Sequence, residues 1–513
     1  MLRNGTSSSH QDTNLLYEGR TAAHTLDIVV VGCGLGGLAA AFALGRAGHN
    51  VTIVEAAAAI GEVGAGIQVS PNVSRVLRDF GLADRLKADA VEPMGIMFRR
   101  YNDGELVGRT DWRNMEKLYG SPYYHVHRAD LHKMLSDVAL SLPNVQLRLG
   151  TTVLSYTSPD NFLNGAPGTS SPTSSQQETI SADLIIGADG VKSVLRGVVV
   201  GAPDQAKPTG DAAYRAIIPA EKLLEHDDLR EFVEYPHMAA WMGPGRHLWH
   251  TASYRSRKEY NLVLIHPDDG SVESWTAAGS ADKMRADFAG WEPRVDKLLS
   301  FVPSTLKWKL MDRQPLAAWI HPDERLVLLG DACHQCAAMA IEDGAVIGAL
   351  FARLQNASQV PVLLNAYVEL RHARTAEVQS SSRLNQHIFH LPDGEQQRER
   401  DDAMRETLVG APGGGYPPAV LAAQRGAQPN FAAGNPNVAA ALDATGVVQA
   451  SVLRDSTATA TGGGGNQPEY VGNPNQWADA QKSRALFGYD SLYDAHAWLQ
   501  RNGMETPAPT SKL

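Results

Sequence analysis

The stretch from Gly330 to Gly344 reads GDACHQCAAMAIEDG and holds two cysteines in a C-x-x-C spacing with a histidine between them. Thiolate and imidazole groups at such spacings bind zinc, and paired thiols can also exchange disulfides. A structural zinc site has four protein ligands, and the only other cysteine, Cys33, lies in a distant glycine-rich loop. A redox motif would need a thioredoxin-like unit, which the flanking pattern does not provide. We therefore predict no metal site and no redox chemistry at Cys333 and Cys336.

A second motif, GCGLGG at residues 32–37, satisfies G-x-G-x-x-G through Gly32, Gly34 and Gly37. Glycines at these positions permit a tight turn and let the backbone and a helix N-terminus approach a pyrophosphate. Glu55 follows at the distance where an acid accepts hydrogen bonds from an adenosine ribose. Glycines alone could mark an ordinary turn. Because apolar runs of the right lengths flank the loop, the pattern favours a dinucleotide site.

Predicted strands and a helix flank this glycine-rich loop and position it. Leu26–Val31 predicts a buried strand, Leu38–Ala47 an alanine-rich helix and Asn50–Val54 a second strand, which together make a βαβ unit. Asn144–Ser155 alternates like an exposed antiparallel strand. The Ser-, Pro- and Gly-rich stretch 159–177 predicts a disordered hairpin tip.

The later chain changes character twice. Strand-like segments recur at the spacing of a sheet, with Trp, Tyr and His among them, which predicts a second domain; they are 212–218, 231–235, 247–254 and 261–266. Residues 325–329 and 337–354 then return to a buried strand and a long helix. From 391 onward Ala, Gly, Asn and Pro dominate, and this composition predicts weakly ordered or appended structure.

Composition excludes several classes of protein. The 513 residues, 43% hydrophobic and 20% charged, are typical of a soluble globular protein with more than one domain. A formal net charge of −10 without a basic stripe argues against a nucleic-acid partner. Three cysteines cannot form a disulfide framework. The first residues are too polar for a signal peptide, and no apolar run predicts a membrane span.

Two further segments identify the kind of dinucleotide. Leu184–Arg196 (LIIGADGVKSVLR) and Leu326–His334 (LVLLGDACH) resemble the second and third fingerprints of the FAD-dependent single-component aromatic hydroxylases, in that family's order. The stretches EVGAGIQVSPN, HRADL, YRAIIP and WMGPGRH are similar to its salicylate-hydroxylase-like branch. The resemblance runs from Asp27 to Arg383.

This resemblance implies an α/β fold with a Rossmann-like FAD-binding domain at 26–204 and 313–390. A sheet-based substrate domain at 205–312 is inserted into it, and 391–510 form a C-terminal extension. FAD is the implied cofactor and NAD(P)H the co-substrate, with NADH and NADPH both open. The residues implied to bind FAD, besides the glycine loop and Glu55, are Ala65, Gly66, Arg128, Asp189, Gly190, Gly330, Asp331 and Ala337. Any one of them alone could equally belong to a surface salt bridge or a turn.

The family comparison also explains why the two cysteines are neighbours. In relatives the GDA-x-H motif leads into a turn, containing proline and glycine, that passes the flavin ring before a helix begins. Here Gln335 and Cys336 run directly into the helical pattern at Ala337, so that this turn is several residues shorter. Its backbone N–H groups face the flavin in relatives. We therefore expect the shortening to weaken flavin binding or reactivity.

The implied activity is hydroxylation of a phenolic or hydroxybenzoate-like ring with NAD(P)H and O2, with a secondary-metabolite phenol also open. The cofactor performs the difficult step, and the protein binds the ring and excludes water. Arg215 matches an active-site arginine of relatives, and His247 and His250 are candidate phenol bases. Each could instead be structural. The alternatives are a flavin oxidase and, because of the short turn, a non-catalytic flavin-fold protein.

The last three residues, Ser511, Lys512 and Leu513, spell the S-K-L address that a peroxisomal import receptor reads at a free C-terminus. The preceding residues predict a flexible tail that would keep the address accessible. We therefore expect a peroxisomal location, with the cytoplasm as the alternative.

Overall fold

The strands of the residues that the structure describes form four sheets. The structure is a computed structural model, and it describes residues 21–61, 66–157, 162–167, 178–202, 206–254, 258–270, 277–334, 336–409 and 473–504. Its strands are Asp27–Val31 (β1), Asn50–Val54 (β2), Gly66–Val69 (β3), Gly95–Arg100 (β4), Leu106–Asp111 (β5), Tyr124–His127 (β6), Val145–Arg148 (β7), Thr151–Thr157 (β8), Phe162–Pro167 (β9), Glu178–Ser181 (β10), Leu184–Gly187 (β11), Lys207–Pro219 (β12), Met238–Gly243 (β13), Arg246–Tyr254 (β14), Glu259–Pro267 (β15), Ala278–Gly279 (β16), Thr305–Asp312 (β17) and Leu326–Leu328 (β18).

Helices cover the sheets and link them along the chain. The α-helices are Leu35–Arg46 (α1), Pro71–Asp79 (α2), Ala83–Asp89 (α3), Met115–Tyr119 (α4), Arg128–Leu140 (α5), Val194–Val200 (α6), Ala220–Leu224 (α7), Asp227–Glu234 (α8), Ala281–Asp287 (α9), Pro293–Ser300 (α10), Ala337–Phe351 (α11), Val360–Phe389 (α12), Glu395–Val409 (α13), Ala480–Phe487 (α14) and Ser491–Arg501 (α15). Short 3₁₀ turns lie at Gly330–Ala332 and Ala357–Gln359.

A parallel sheet in the order β18-β11-β1-β2-β7 forms the first layer. Its β1 and β2 are rich in branched residues and almost wholly buried, because helices pack against the sheet. Helix α1 packs against both α5 and α11. Gly344 and Gly348 of α11 have no side chain, so the backbone of α1 can approach them closely. The Rossmann-like α/β class predicted from the βαβ unit is confirmed.

Two predicted strands take a different form. Asn144–Ser155 divides into β7, which joins the parallel sheet, and β8, which joins a three-stranded antiparallel sheet with β9 and β10. Gly150, at a φ of +62°, makes the break. The prediction of a strand at 231–235 is wrong, because residues 231–234 lie in helix α8 and Tyr235 caps its C-terminus. Aspartates in the first turn of α8 and apolar residues at helical spacing account for the difference.

The second large sheet has the order β16-β17-β12-β15-β14-β13-β4-β5. It therefore takes two strands, β4 and β5, from residues 95–111, outside the predicted substrate-domain range of 205–312. Strand β4 pairs in parallel with β13, and the other pairings are antiparallel. Two hydrogen bonds hold helices α9 and α10 on one face of this sheet. Tyr214 donates to Asp287 of α9, and Trp241 donates to Glu292 at the start of α10.

The segment after 391 contains ordered helices as well as undescribed residues. Helix α13 packs on β5, and α15 packs on α11 and α12 within the same compact unit as the family-like part of the chain. The expectation of weak order is therefore wrong for 395–409 and 473–504, whereas the expectation of appended structure is confirmed, because these residues follow the family match that ends at 382. Two other predictions, Ala65 and the address Ser511–Leu513, fall outside the described residues. Within the described ranges, no helix combines the length and apolar character needed to span a bilayer.

Candidate active site

The glycine loop is shaped by close backbone contacts. Gly32 has a φ of +106°, and a Cβ there would lie 2.3 Å from the carbonyl oxygen of Ala188. A Cβ on Gly37 would lie 2.1 Å from the carbonyl oxygen of Gly32. Both positions therefore need glycine for the fold itself. Gly34 differs, because a Cβ there would meet no protein atom within 4 Å, and this residue faces open space at the N-terminus of α1.

That open space is a cavity of about 320 Å³ at the carboxyl ends of β1, β2 and β11. Of the predicted cofactor residues, Gly32, Gly34, Glu55, Asp189 and Gly190 line it. Sequence reasoning missed Lys192 and the β8 residues Thr151, Thr152 and Val153, which also line it. Lys192 lies within the second fingerprint, so its positive charge near a predicted phosphate site could have indicated a role in binding. The β8 residues carry no such signal, since only the folded sheet brings them to this edge.

Hydrogen bonds fix the acids of this cavity. Glu55 accepts from the N–H of Cys33 at 2.9 Å and from that of Ala57 at 2.8 Å, which ties the end of β2 to the glycine loop. Asp189 accepts from the N–H groups of Val194 and Leu195 at the start of α6. Burial raises the pKa of Asp189 above its ordinary value, although these hydrogen bonds act in the opposite direction.

The residues present fit the diphosphate and ribose of a dinucleotide such as FAD. The first hydrogen bond within α1 runs from the N–H of Leu38 to the carbonyl of Gly34. The N–H groups before Leu38 therefore have no partner within the helix, and Gly34 at this end of the helix lines the cavity, where such groups can bind phosphate. Lys192 adds positive charge, and Glu55 can accept from ribose hydroxyls. Two features thus support the site: unshared helix N–H groups and the open space over Gly34.

The residues predicted for the flavin end lie outside the lining of this cavity and form two groups. In the first, Gly66 pairs with His127 between β3 and β6, so Arg128 is adjacent. Arg215 of β12 donates from Nη2 to the carbonyl of Gly66 at 3.2 Å, although the two residues are 149 positions apart in the chain. The fold thus joins the predicted catalytic arginine to two predicted cofactor residues.

The second group follows β18. Gly330 has a φ of +63° and donates its N–H to Asp343 at 3.1 Å. Asp331 accepts from the N–H of Cys336 at 3.3 Å, and Ala337 begins α11. Cys336 has a φ of +148°, which side-chain-bearing residues rarely adopt. The backbone is therefore strained at Cys336, directly before α11.

Buried ionic contacts hold α11 immediately after this turn. His334 bonds Asp343 at 2.6 Å, and Arg371 of α12 contacts both Asp343 and Glu342. Arg374 adds a second cation to Glu342 at 2.9 Å. Burial disfavours the ionised carboxyls, but the neighbouring cations hold the pKa of Glu342 and of Asp343 below the ordinary values.

Of the two cysteines of the opening motif, Cys333 is buried and Cys336 is partly buried. Burial raises the pKa of Cys333 well above its ordinary value and raises that of Cys336 as well. A thiol that stays protonated is a poor nucleophile and a poor metal ligand. Among the described residues, no cluster of His, Cys, Asp and Glu has the geometry to hold a metal ion.

The two candidate histidines point to opposite faces of the large sheet. His247 bonds His390 at 2.7 Å and packs against Phe389. His250 bonds the hydroxyl of Tyr260, and its ring stacks on that tyrosine. Burial lowers the pKa of both histidines well below the ordinary value, so both rings are neutral at physiological pH. The fold does not bring His247 and His250 together at one ligand.

The fold and the cavity define a flavoprotein, and comparisons with known proteins give its family. Residues 25–382 match the model of the FAD binding domain family, and the chain belongs to this family. It is an FAD-dependent monooxygenase of the aromatic-ring type, with FAD as cofactor and NAD(P)H as co-substrate. The resemblance to aromatic hydroxylases is thereby confirmed.

The relatives span most of the chain. An FAD-dependent monooxygenase of Beauveria bassiana is 36% identical over 74% of this chain and 89% of its own length. A 3-amino-4-hydroxybenzoate 2-monooxygenase of Streptomyces platensis is 34% identical, over 75% of this chain and 93% of its own. A solved salicylate hydroxylase substrate complex has a TM-score of 0.62 at 26% identity and covers 75% of this chain and 94% of that one.

Proposed function

We propose that this enzyme hydroxylates an aromatic ring that carries a phenolic hydroxyl and a carboxylate, as in hydroxybenzoates. The observation that carries the proposal is the contact of Arg215 with the carbonyl of Gly66, which supports a role for this guanidinium beside the residues predicted to bind the flavin. Arg215 also lies over the Trp308 ring, with Cζ 5.7 Å from the ring centroid. A cation beside an aromatic surface complements an anionic ring. Relatives are named for 3-amino-4-hydroxybenzoate and 3-hydroxybenzoate.

Each part of the site has a separate task. When bound, FAD would supply the redox chemistry: it would take hydride from NAD(P)H and activate O2, so that one oxygen atom goes to the ring and the other leaves as water. Arg215 binds the carboxylate or phenolate oxygen and thereby orients the ring. The apolar sheet face around Trp308 excludes water. His247 lies on the same face as Arg215 and stays the candidate base, whereas His250 lies on the opposite face and does not reach a ring bound there.

Variants of Arg215 test this assignment. In the FAD-loaded enzyme we expect Arg215→Met to raise KM for 3-hydroxybenzoate about tenfold or more, because a charge-assisted hydrogen bond contributes roughly 1.5–3 kcal/mol. Arg215→Lys, which keeps the charge, should recover part of this loss. The measurements are substrate-stimulated NAD(P)H oxidation, O2 uptake and hydroxylated product. Flavin that stays bound in both variants shows that the effect is on the substrate.

The same assay separates the two alternative activities. Formation of hydrogen peroxide alone across a panel of phenols would contradict hydroxylation. Oxygen uptake with substrate and no pyridine nucleotide would indicate a flavin oxidase. A folded protein that fails to retain FAD would indicate that the strained turn at Cys336 has abolished the chemistry, and reinsertion of a longer turn after His334 should then restore the yellow colour.

The peroxisomal location is also a proposal, and it holds where Ser511–Leu513 form a free C-terminus. The import receptor is its proposed partner. A fluorescent fusion at the N-terminus, compared with and without these three residues, tests the address. The same punctate distribution of both forms, or a cytoplasmic distribution of both, would contradict it.

A further inference from the structure

Residues 473–504 lie outside the family match, which ends at 382, and Asn475 and Trp477 near their start contact the large sheet. The ring of Trp477 lies 5.6 Å from that of Phe98 on β4 and 6.3 Å from that of Trp249 on β14, between centroids. The ring centroid of Phe389, the last residue of α12, lies 5.8 Å from that of Phe98 and 5.4 Å from that of Trp249. Together Phe98, Trp249, Phe389 and Trp477 form what we call the aromatic wall.

The aromatic wall lies on the same sheet face as Arg215. The strand register aligns Phe98 with Ala240, Ala240 with Trp249, Trp249 with Val263 and Val263 with Arg215. Residues aligned in this way across neighbouring strands point to the same side of a sheet. Trp249 and Arg215 are two strands apart, so that their backbones are separated by about 10 Å.

Burial differs within the wall. Phe98 and Phe389 are buried, at 0% and 2% exposure, whereas Trp249 and Trp477 are only partly buried. The two tryptophans therefore present ring surface on the side of the wall that the core does not fill. A carboxylate held by Arg215 would direct the far end of a ligand along the row toward this surface. A single benzoate ring is shorter than the separation of about 10 Å, whereas a second ring or an apolar substituent would span it.

Polar contacts fix Trp477 in this position. Asn475, two residues before it, exchanges hydrogen bonds with Thr110 of β5 and donates to Thr407 of α13. Asp479, two residues after it, caps α14 through the N–H groups of Gln481 and Lys482. The backbone on both sides of Trp477 is thus tied to the fold, and its ring is presented to the wall without the freedom of a loose tail.

We infer that Trp477 is a specificity-determining residue, with which the C-terminal segment selects aromatic acids carrying a second ring or an apolar extension over single-ring acids. This inference rests on the proposed function, because Arg215 must hold the acidic end of the ligand. Stacking on the tryptophan faces supplies the selectivity, since aromatic pairs are stabilised beyond the burial of their apolar area.

The test compares 3-hydroxy-2-naphthoate with 2-hydroxybenzoate, its single-ring counterpart with the same neighbouring hydroxyl and carboxylate, in the full-length, FAD-loaded enzyme. We expect the unaltered enzyme to have the higher kcat/KM for the naphthoate. Trp477→Ala should lower the ratio of the two kcat/KM values about tenfold, mainly through KM for the naphthoate, and should change the benzoate values little. Trp477→Phe, which keeps a ring, should retain most of the ratio.

A matched control separates specificity from folding. Trp498 lies in the same C-terminal segment but donates to Glu369 of α12, away from the wall. Trp498→Phe should leave the substrate ratio unchanged, even where it lowers stability. An unchanged ratio in Trp477→Ala, or an equal loss for both acids, would overturn the inference. An unaltered enzyme that hydroxylates neither acid nor any other phenol would instead overturn the proposed function.

Discussion

At the scale of single residues, the three glycines of the phosphate loop have different physical roles. Gly32 and Gly37 are required by the protein itself, because a Cβ on either would overlap a backbone carbonyl. Gly34 has a φ of −75°, and a Cβ at this position would have no protein atom within 4 Å, so the fold accepts alanine there. Only a ligand in the cavity would exclude that methyl group. A substitution of Gly34 therefore tests cofactor binding, whereas a substitution of Gly32 tests the stability of the fold.

This difference gives a paired prediction. Gly34→Ala should leave the unfolding free energy of the cofactor-free protein within about 0.5 kcal/mol of the original and should raise Kd for FAD at least about tenfold. Gly32→Ala should lower that free energy by more than about 1 kcal/mol, because its φ and its neighbours both oppose a side chain. Denaturant titrations and flavin fluorescence measure the two quantities. Full FAD affinity in Gly34→Ala would show that the diphosphate does not lie over this residue.

At the scale of elements, helix α11 depends on buried ions rather than on the turn that precedes it. The Arg371 side chain is fully buried between Glu342 and Asp343 of α11, with contacts of 2.6 and 2.7 Å. Removing one member of such a group leaves charge uncompensated in a medium that solvates it poorly. Asp343 also accepts from the N–H of Gly330, which links these ions to the turn after β18. Loss of Arg371 should therefore disturb both α11 and the flavin side of the site.

We expect Arg371→Met to lower the unfolding free energy by about 3–5 kcal/mol, the range measured when one partner of a buried ion pair is removed. FAD retention should fall as well. Arg230→Met is the matched control, because Arg230 pairs with Glu234 at the surface and exposed pairs contribute little. Equal stability of the two variants in denaturant titrations would show that the buried ions do not hold α11.

Sequence patterns predicted the elements whose signals are local. The βαβ unit and the glycine loop lie in one short stretch, and β2 has the predicted bounds. Helix α8 was missed because a short apolar run fits a strand or a helix until its burial is known. Strands β4 and β5 join the large sheet through pairing with β13, which is distant in sequence. The wall residue Trp477 was missed for the same reason, since a long glycine- and alanine-rich stretch precedes it.

At the scale of the whole molecule, buried histidines lie around the parallel sheet and around the large sheet, and they are neutral in the folded protein. Burial is the main reason why seven histidines have a pKa below the ordinary value. They are His49, His125, His237, His247, His250, His266 and His390. The pKa of His237 and of His390 falls to about 4, and that of His125 to about 3. Unfolding exposes all of these rings to water, where they titrate near 6.5.

Acid should therefore destabilise the protein at a mild pH. Below about pH 6.5 the unfolded chain binds protons that the folded chain excludes, so the unfolding free energy falls as pH falls, until the depressed pKa values near 4 are reached. Each such histidine contributes about 1.4 kcal/mol per pH unit within this window. Asp79, whose pKa burial raises to about 6, opposes the trend by binding a proton in the folded state.

The net slope is smaller than the sum over the seven histidines, because burial also raises the pKa of six carboxyls that bind protons in the folded state, namely Asp79, Glu92, Asp189, Asp211, Asp296 and Asp494. Denaturant titrations at pH 7.5, 6.0 and 5.0 with saturating FAD should show a loss of unfolding free energy that sets in below about pH 6.5. His237→Gln should reduce the slope by about one proton, because the glutamine side chain can still donate to the carbonyl of Tyr235 without titrating. A stability that stays constant from pH 7.5 to 5.0 would mean that these rings reach water in the folded protein, and the two enclosed sheet faces would then be more open than their burial indicates.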